Sequence, residues 1–205
     1  MTETRVYIAE VSGEGADALP ADRLKKAARF RFEKDRMRSL TAGRLLHQAC
    51  ADAGIPGADE HVLTGKQGKP YFAYHPEWRF SLSHSGELAM CVMSGREVGC
   101  DIEKISDKET DKLAKRFFSA AENELLEKTA EEERAGMFYR LWTLKESFLK
   151  CTGDGLTRPL DSFTVRIGES GPEIEDAGDG YTYRLYERTG IDGYCAAWCE
   201  RAENT

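Results

Sequence analysis

The chain has 205 residues, 40% of them hydrophobic, and 29 Lys and Arg against 36 Asp and Glu give it a net charge of −7. That length suits one globular unit or two small ones sharing a core, and the acidic balance excludes a globally basic nucleic-acid binder. No apolar run approaches the roughly 18–20 residues that span a bilayer, and MTETRVYIAEV at the start holds charges where a secretory signal is apolar, so a cytoplasmic protein is expected.

Residues 4 to 11 (TRVYIAEV) alternate as a strand does. Residues 21 to 53 read as an interrupted helix, with Leu40, Gly43, Leu45, Leu46 and Cys50 at near-helical spacing. Between residues 23 and 44, nine bases stand against two acids, Glu33 and Asp35, so this stretch carries +7. It is either a solvated helical surface or a phosphate-binding patch. Gly65, Gly68 and Pro70 predict a turn-rich loop over 61 to 72. Short β-runs follow at Trp78–Ser83, Leu88–Met93 and Val98–Glu103. Ser119-Ala-Ala-Glu122 is a capping-box pattern that opens a helix. A long helix is expected over about 134 to 151, ended by Gly153 and Gly155. Phe163–Ile167, Tyr181–Tyr186 and Tyr194–Cys199 read as strands, and 168 to 180 as a polar hairpin loop or spacer.

SGELAMCVM in the first half weakly echoes DGYCAAWCE in the second. The element order and this echo suggest an α+β fold of two related lobes, 1–105 and 106–205, packed tightly across a short charged linker, Ser106 to Asp111. The six cysteines contain no CxxC pair and are expected to be small buried thiols.

Asp101 and Glu103 end an apolar strand two residues apart, so both carboxylates point one way. Such a pair repels itself unless a cation intervenes, and oxygen ligands suit Mg²⁺; exposed acids at a strand end are the plainer alternative. Glu146 and Lys150 share a helix face, either as a surface ion pair or as a third ligand or base beside a phosphate-binding cation. His84 lies between Ser83 and Ser85, but a GxSxG elbow is absent, so a phosphate or ribose contact is favoured over a catalytic serine. Gly68-Lys69-Pro70 either meets a ligand or is a plain turn.

Together, GKPYF (68–72), FSLSHS (80–85), GCDIEKI (99–105), RFFSAAE (116–122), LWTLKESFLKCTGDGL (141–156) and PLDSFTVRI (159–167) resemble the Sfp-type 4'-phosphopantetheinyl transferases, from about Arg23 to the C-terminal strands. The acid pair followed by W-x-x-K-E-S is the most specific part. The resemblance implies two pseudo-duplicated α+β lobes, usually monomeric, with the coenzyme between them. It also implies transfer of the phosphopantetheine arm of coenzyme A to a serine of an apo carrier protein, releasing 3',5'-ADP. On the same basis Asp101, Glu103 and Glu146 match the Mg²⁺-binding acids, and Glu146 a proposed base for the serine. Lys150 matches the lysine that assists the departing phosphate; Ser83 and His84 match contacts near the 3'-phosphate, and Lys69 and Pro70 the nucleotide loop. Arg23, Lys26 and Ser39 align more loosely with contacts to coenzyme phosphates, and Arg44 is a further candidate.

Cys100 and Arg23 are mild departures from the family pattern, and neither impairs the expected chemistry. Carrier docking is expected around Phe117, Phe118 and the helix from Ser119, unless either ring is core. A metal-dependent nuclease or phosphatase and a non-catalytic coenzyme-binding module are the competing classes.

Overall fold

The computed structural model describes residues 3–106 and 110–202, apart from the Leu156 side chain. Its first half runs β1 (Arg5–Glu10), α1 (Ala21–Ala27), α2 (Glu33–Asp52), β2 (Val62–Thr64), β3 (Pro70–Phe72), β4 (Arg79–Ser85), β5 (Leu88–Ser94) and β6 (Val98–Lys104). The second adds α3 (Thr110–Phe117), α4 (Ala120–Lys128), α5 (Glu131–Thr152), β7 (Thr164–Gly168), β8 (Gly171–Glu175), β9 (Tyr183–Glu187) and β10 (Tyr194–Arg201).

The duplication faint in the sequence is plain in the topology. One antiparallel sheet has the order β1-β5-β4, and the other has the matching order β6-β10-β9. Each half also carries a small hairpin, β2–β3 or β7–β8, and a long helix, α2 or α5, packed on its sheet. This is the expected α+β architecture. A division at residue 105 leaves β6 in the first half of the chain, yet β6 pairs with β10, Asp101 opposite Ala197. Residues 107–109 of the expected linker lie outside the described residues.

Strand alternation builds the core. In β5, Ala89, Cys91 and Met93 pack on the Ala42, Leu45, Leu46, Ala49 and Cys50 face of α2. Met90 and Val92 point the other way, onto Val98, Cys100 and Ile102 of β6 and Ala196 of β10. A strand buried on both faces loses its polar alternation, which explains the near-continuous apolar run AMCVM. All six cysteines are free thiols, and only Cys195 is partly exposed.

The helix expected over 21–53 breaks between Ala27 and Glu33. The turn-rich loop expected over 61–72 holds the β2–β3 hairpin, turned by Gly68 at φ 90°. Three-residue strands are too short to show a period, and Pro70 argues against one. The helix α3 has no counterpart in the sequence reading. The polar segment 168–180 is a hairpin with one arm in β8, and α5 begins at Glu131 rather than near 134.

The capping box is present: Ser119 Oγ accepts from Glu122 N–H, and Glu122 Oε2 accepts from Ser119 N–H at 2.8 Å. Glu122 has a second task. Its carboxylate takes the Lys145 ammonium at 2.6 and 2.8 Å and the Val165 amide at 2.7 Å, while Lys145 also donates to Phe163 O at 2.8 Å. Both side chains are fully buried, so this one pair ties α4, α5 and β7 together. Phe118 is core, stacked on Phe138, and is not available for docking; Phe117 is half-buried, edge-on to Trp142.

Candidate active site

The two sheets meet where β4 runs beside β6, and no ladder joins these strands. Serine hydroxyls replace it. Ser81, Ser83 and Ser85 alternate along β4 and so project to one side. Ser81 Oγ accepts from Cys100 N–H at 3.0 Å, Ser83 Oγ donates to Asp101 Oδ1 at 2.7 Å, and Ser85 Oγ accepts from Lys104 N–H at 3.1 Å and donates to Glu103 Oε2 at 2.6 Å.

The helix α5 covers the β6 edge of this seam. Gly99 shares a β6 face with Asp101 and Glu103, and α5 rests on its bare backbone. A Cβ there would lie 2.2 Å from both Cys151 N and Ser147 O, inside any allowed contact. The missing side chain lets the helix approach until Glu146 and Lys150 stand over the acids. Gly99→Ala should therefore push α5 away, costing about 2 kcal/mol of stability as an overpacked core does and lowering turnover at least about tenfold by misplacing the site by a fraction of an ångström. Thermal melts and turnover check this; an unchanged variant would mean the contact is not tight.

Lys150 Nζ sits 2.7 Å from Asp101 Oδ1 and 3.2 Å from Ser83 Oγ. Burial alone would lower the Lys150 pKa, but Asp101, Cys100 and Glu146 together outweigh it and the net shift is upward, so the ammonium stays charged. Burial raises the Glu146 carboxyl, Asp101 raises it further, Lys150 opposes this and Glu103 adds to the rise. Desolvation lowers His84, and the charges of Arg38 and Lys150 add to the drop.

A cavity of about 640 Å³ opens between these strands, the start of α1 and α2, the β2–β3 turn and α5. Arg23, Lys26, Ser39, Lys69, Pro70, Ser83, His84, Asp101, Glu103, Glu146 and Lys150 all line it. Arg44 does not; its stem lies near Gly15 on another part of the surface. Arg23 crosses the bare backbone of Gly43, where a Cβ would come within 2.9 Å of its side chain. Burial lowers the Arg23 pKa, and burial followed by repulsion from Arg23 lowers that of Lys26. Neither forms an ion pair or side-chain hydrogen bond among the described residues, although the Asp59 charge favours the Arg23 cation, and both face the cavity. Most of the remaining +7 stretch is answered locally: Lys25 by Asp22, Lys34 by Glu87, Arg36 by Glu33 and Arg38 by Asp35. The surface reading thus fits those four residues, while Arg23 and Lys26 line the cavity.

Lys69 lines the cavity with its stem, but its ammonium is held by Glu97 Oε2 and Cys151 O, both at 2.7 Å. It caps the C-terminal end of α5 and links the β2–β3 turn to it. Ser83 is likewise committed to Asp101 and Lys150.

Among the described residues no three His, Cys, Asp or Glu side chains form a ready-made metal cage. The donor set nevertheless fits Mg²⁺, which takes one or two carboxylates together with substrate phosphates and water. Asp101 Oδ2 is buried with no hydrogen-bond partner, an orphaned hard oxygen of the kind a cation would satisfy. The mutual repulsion of Asp101, Glu103 and Glu146 points the same way.

Residues 97–199 match the family model described as the 4'-phosphopantetheinyl transferase superfamily, and residues 14–96 match 4'-phosphopantetheinyl transferase, N-terminal. The chain belongs to the Sfp-type 4'-phosphopantetheinyl transferases. A 4'-phosphopantetheinyl transferase of Bacillus subtilis is 37% identical over 165 residues, 80% of this chain and 73% of that one. The Sfp transferase of B. subtilis strain 168 is 34% identical over 183 residues, 87% of this chain and 80% of its own. AcpT of Salmonella typhimurium is 36% identical over 152 residues, 73% of this chain and 74% of its own. Among solved structures, a holo-(acyl-carrier-protein) synthase from Bacillus anthracis, in complex with coenzyme A, superposes with a TM-score of 0.46 at 17% identity, covering 51% of this chain and 94% of that one. This 4'-phosphopantetheinyl transferase is accordingly an enzyme that moves the phosphopantetheine arm of coenzyme A to a carrier protein. The nuclease, phosphatase and binding-module alternatives fall away. The join between the two matched regions, at residues 96 and 97, lies in the β5–β6 turn.

Three residues were given no role in the sequence reading: Gly99 and Ser85, which shape the site, and Lys145, which ties the helix behind it to the core. Each stands inside a motif used for the resemblance, so a signal was available. Gly99 precedes Asp101 by two, and a glycine inside a strand marks a close backbone approach.

Proposed function

We propose that this transferase is Mg²⁺-dependent and releases 3',5'-ADP, with Asp101, Glu103 and Glu146 holding the metal. The observation that carries this reading is the orphaned Asp101 Oδ2 in a cavity that also holds the Arg23–Lys26 pair. Coenzyme A carries a pyrophosphate and a 3'-phosphate, and the cavity offers an acidic, metal-seeking end and a cationic end for them.

In the proposed reaction the carrier serine oxygen attacks the phosphorus that bears the pantetheine arm. The bond from that phosphorus to the bridging oxygen breaks, and the electron pair leaves with the 5'-phosphate of 3',5'-ADP. Glu146 takes the serine proton; its raised pKa makes it a better acceptor than an ordinary carboxylate. Lys150, held charged, meets the negative charge that builds on the departing phosphate. When bound, Mg²⁺ would supply further neutralisation of the pyrophosphate. His84, Ser39, Arg23 and Lys26 hold the nucleotide end, while Pro70 shapes the wall beside it. Arg44 has no part in this arrangement, and Lys69 acts from behind by fixing the end of α5.

The reading extends to a monomer, since every proposed group comes from one chain, and to the cytoplasm, where six free thiols are kept reduced. No helix among the described residues is long and apolar enough to cross a membrane. No nucleic-acid partner is proposed. The carriers proposed are acyl or peptidyl carrier domains of fatty-acid, polyketide or nonribosomal-peptide synthesis.

The phosphate assignment is tested with coenzyme A and its dephospho form. Arg23→Met, Lys26→Met and His84→Ala should each weaken coenzyme A by about tenfold, as loss of a charge-assisted contact does, and dephospho-coenzyme A much less. Equal losses for the two ligands in calorimetry would place these side chains away from the 3'-phosphate.

A further inference from the structure

We propose that Ser85 is a positioning residue for the metal-binding carboxylate of Glu103, so that β4 aims both acids of β6. The inference rests on the Mg²⁺ reading above and deepens it. Ser83 and Ser85 treat the two acids alike: one hydroxyl donates to Asp101 Oδ1 at 2.7 Å, the other to Glu103 Oε2 at 2.6 Å. Ser85 has a further contact that fixes its direction. The Lys104 N–H donates into its oxygen at 3.1 Å, which leaves the hydroxyl proton for the carboxylate and polarises it in that sense. The hydroxyl is thus anchored to the backbone of β6 and aimed at a side chain of the same strand.

The consequence is mechanical as well as electrostatic. A glutamate has three rotatable side-chain bonds, and Glu103 is only half-buried, so packing alone would leave its carboxylate several orientations. The hydrogen bond from Ser85 to Glu103 Oε2 favours one of them. Outer partners of this kind typically alter metal affinity by about 10–100-fold. Because β4 belongs to one sheet and β6 to the other, the same contact makes metal affinity depend on how the two halves of the molecule register.

The test is Mn²⁺ binding in the presence of coenzyme A, followed by the electron paramagnetic resonance of the free ion, on the full chain and on Ser85→Ala, Ser85→Thr and Glu103→Gln. Ser85→Ala is expected to weaken Mn²⁺ by about tenfold, and Ser85→Thr, which keeps the hydroxyl, to restore it. The KM for coenzyme A should stay within about twofold, and kcat should recover as metal is raised, a split that mere loss of fold would not give. Thermal melts accompany each variant. If alanine unfolds because Lys104 N–H loses its acceptor, Ser85→Cys, a weaker donor of similar size, is expected to show the same weakening. Wild-type affinity in Ser85→Ala beside a clear loss in Glu103→Gln would overturn the positioning role and leave the metal reading standing. No Mn²⁺ binding by the wild-type chain, or none lost in Glu103→Gln, would overturn the metal reading and this role with it.

Discussion

Asp101→Asn is expected to lower phosphopantetheine transfer by about three orders of magnitude, some 4 kcal/mol of transition-state stabilisation, while leaving the protein folded. Asp101 is the charge on which the site converges. One oxygen receives Ser83 and Lys150, and the other is buried without a partner. Asparagine keeps the shape and can still accept from Ser83, so the β4–β6 seam should survive. It removes the negative charge that offsets the desolvation of Lys150 and would help hold a cation. Turnover measured by mass spectrometry, beside circular dichroism and a melting curve, checks the expectation. Activity within about tenfold of wild type, or activity indifferent to a chelator, would remove Asp101 from the metal site.

Lys145→Met should be the most damaging substitution for stability, costing about 3–5 kcal/mol by leaving the Glu122 carboxylate charged and unpaired in the core. Lys145 and Glu122 are both 0% exposed in their side chains, and Glu122 also anchors the Ser119 and Val165 amides, so the carboxylate cannot turn to water. Adding Glu122→Gln removes the stranded charge and should recover part of the loss. Urea titration reads both changes. A loss below about 1 kcal/mol, in the range of an exposed ion pair, would show that the pair is not the strut between α4, α5 and β7.

Why the sequence revealed so much of the site, and where it stopped, follows from the kinds of contact involved. Strand and helix periods set Asp101 beside Glu103 and Glu146 beside Lys150, the resemblance joined the two pairs, and the two faces do meet. The capping box was legible because it is local, three residues wide. Lys69 and Arg44 show the limit: a cation can be recognised in a sequence, but its partner lies elsewhere in the chain. Lys69 is 28 residues from Glu97 and 82 from Cys151, and nothing local shows that these two groups hold its ammonium. Gly99 and Lys145 stood inside quoted motifs, but their partners did not show for the same reason. Their roles are set by α5, which reaches them only in the folded protein. The doubled topology was only hinted at, because the repeated elements share their order and pairing but hardly any side chains.

The most direct measurement is intact-mass analysis of purified apo carrier proteins after incubation with this enzyme, coenzyme A and Mg²⁺. The account predicts that at least one carrier gains the mass of a single phosphopantetheine group, with 3',5'-ADP formed in equal amount. Replacing the carrier's serine with alanine, or omitting the metal, should abolish the gain. A panel of fatty-acid, polyketide and nonribosomal-peptide carriers that stays unmodified, or a gain that persists without metal and with Asp101→Asn, would contradict it.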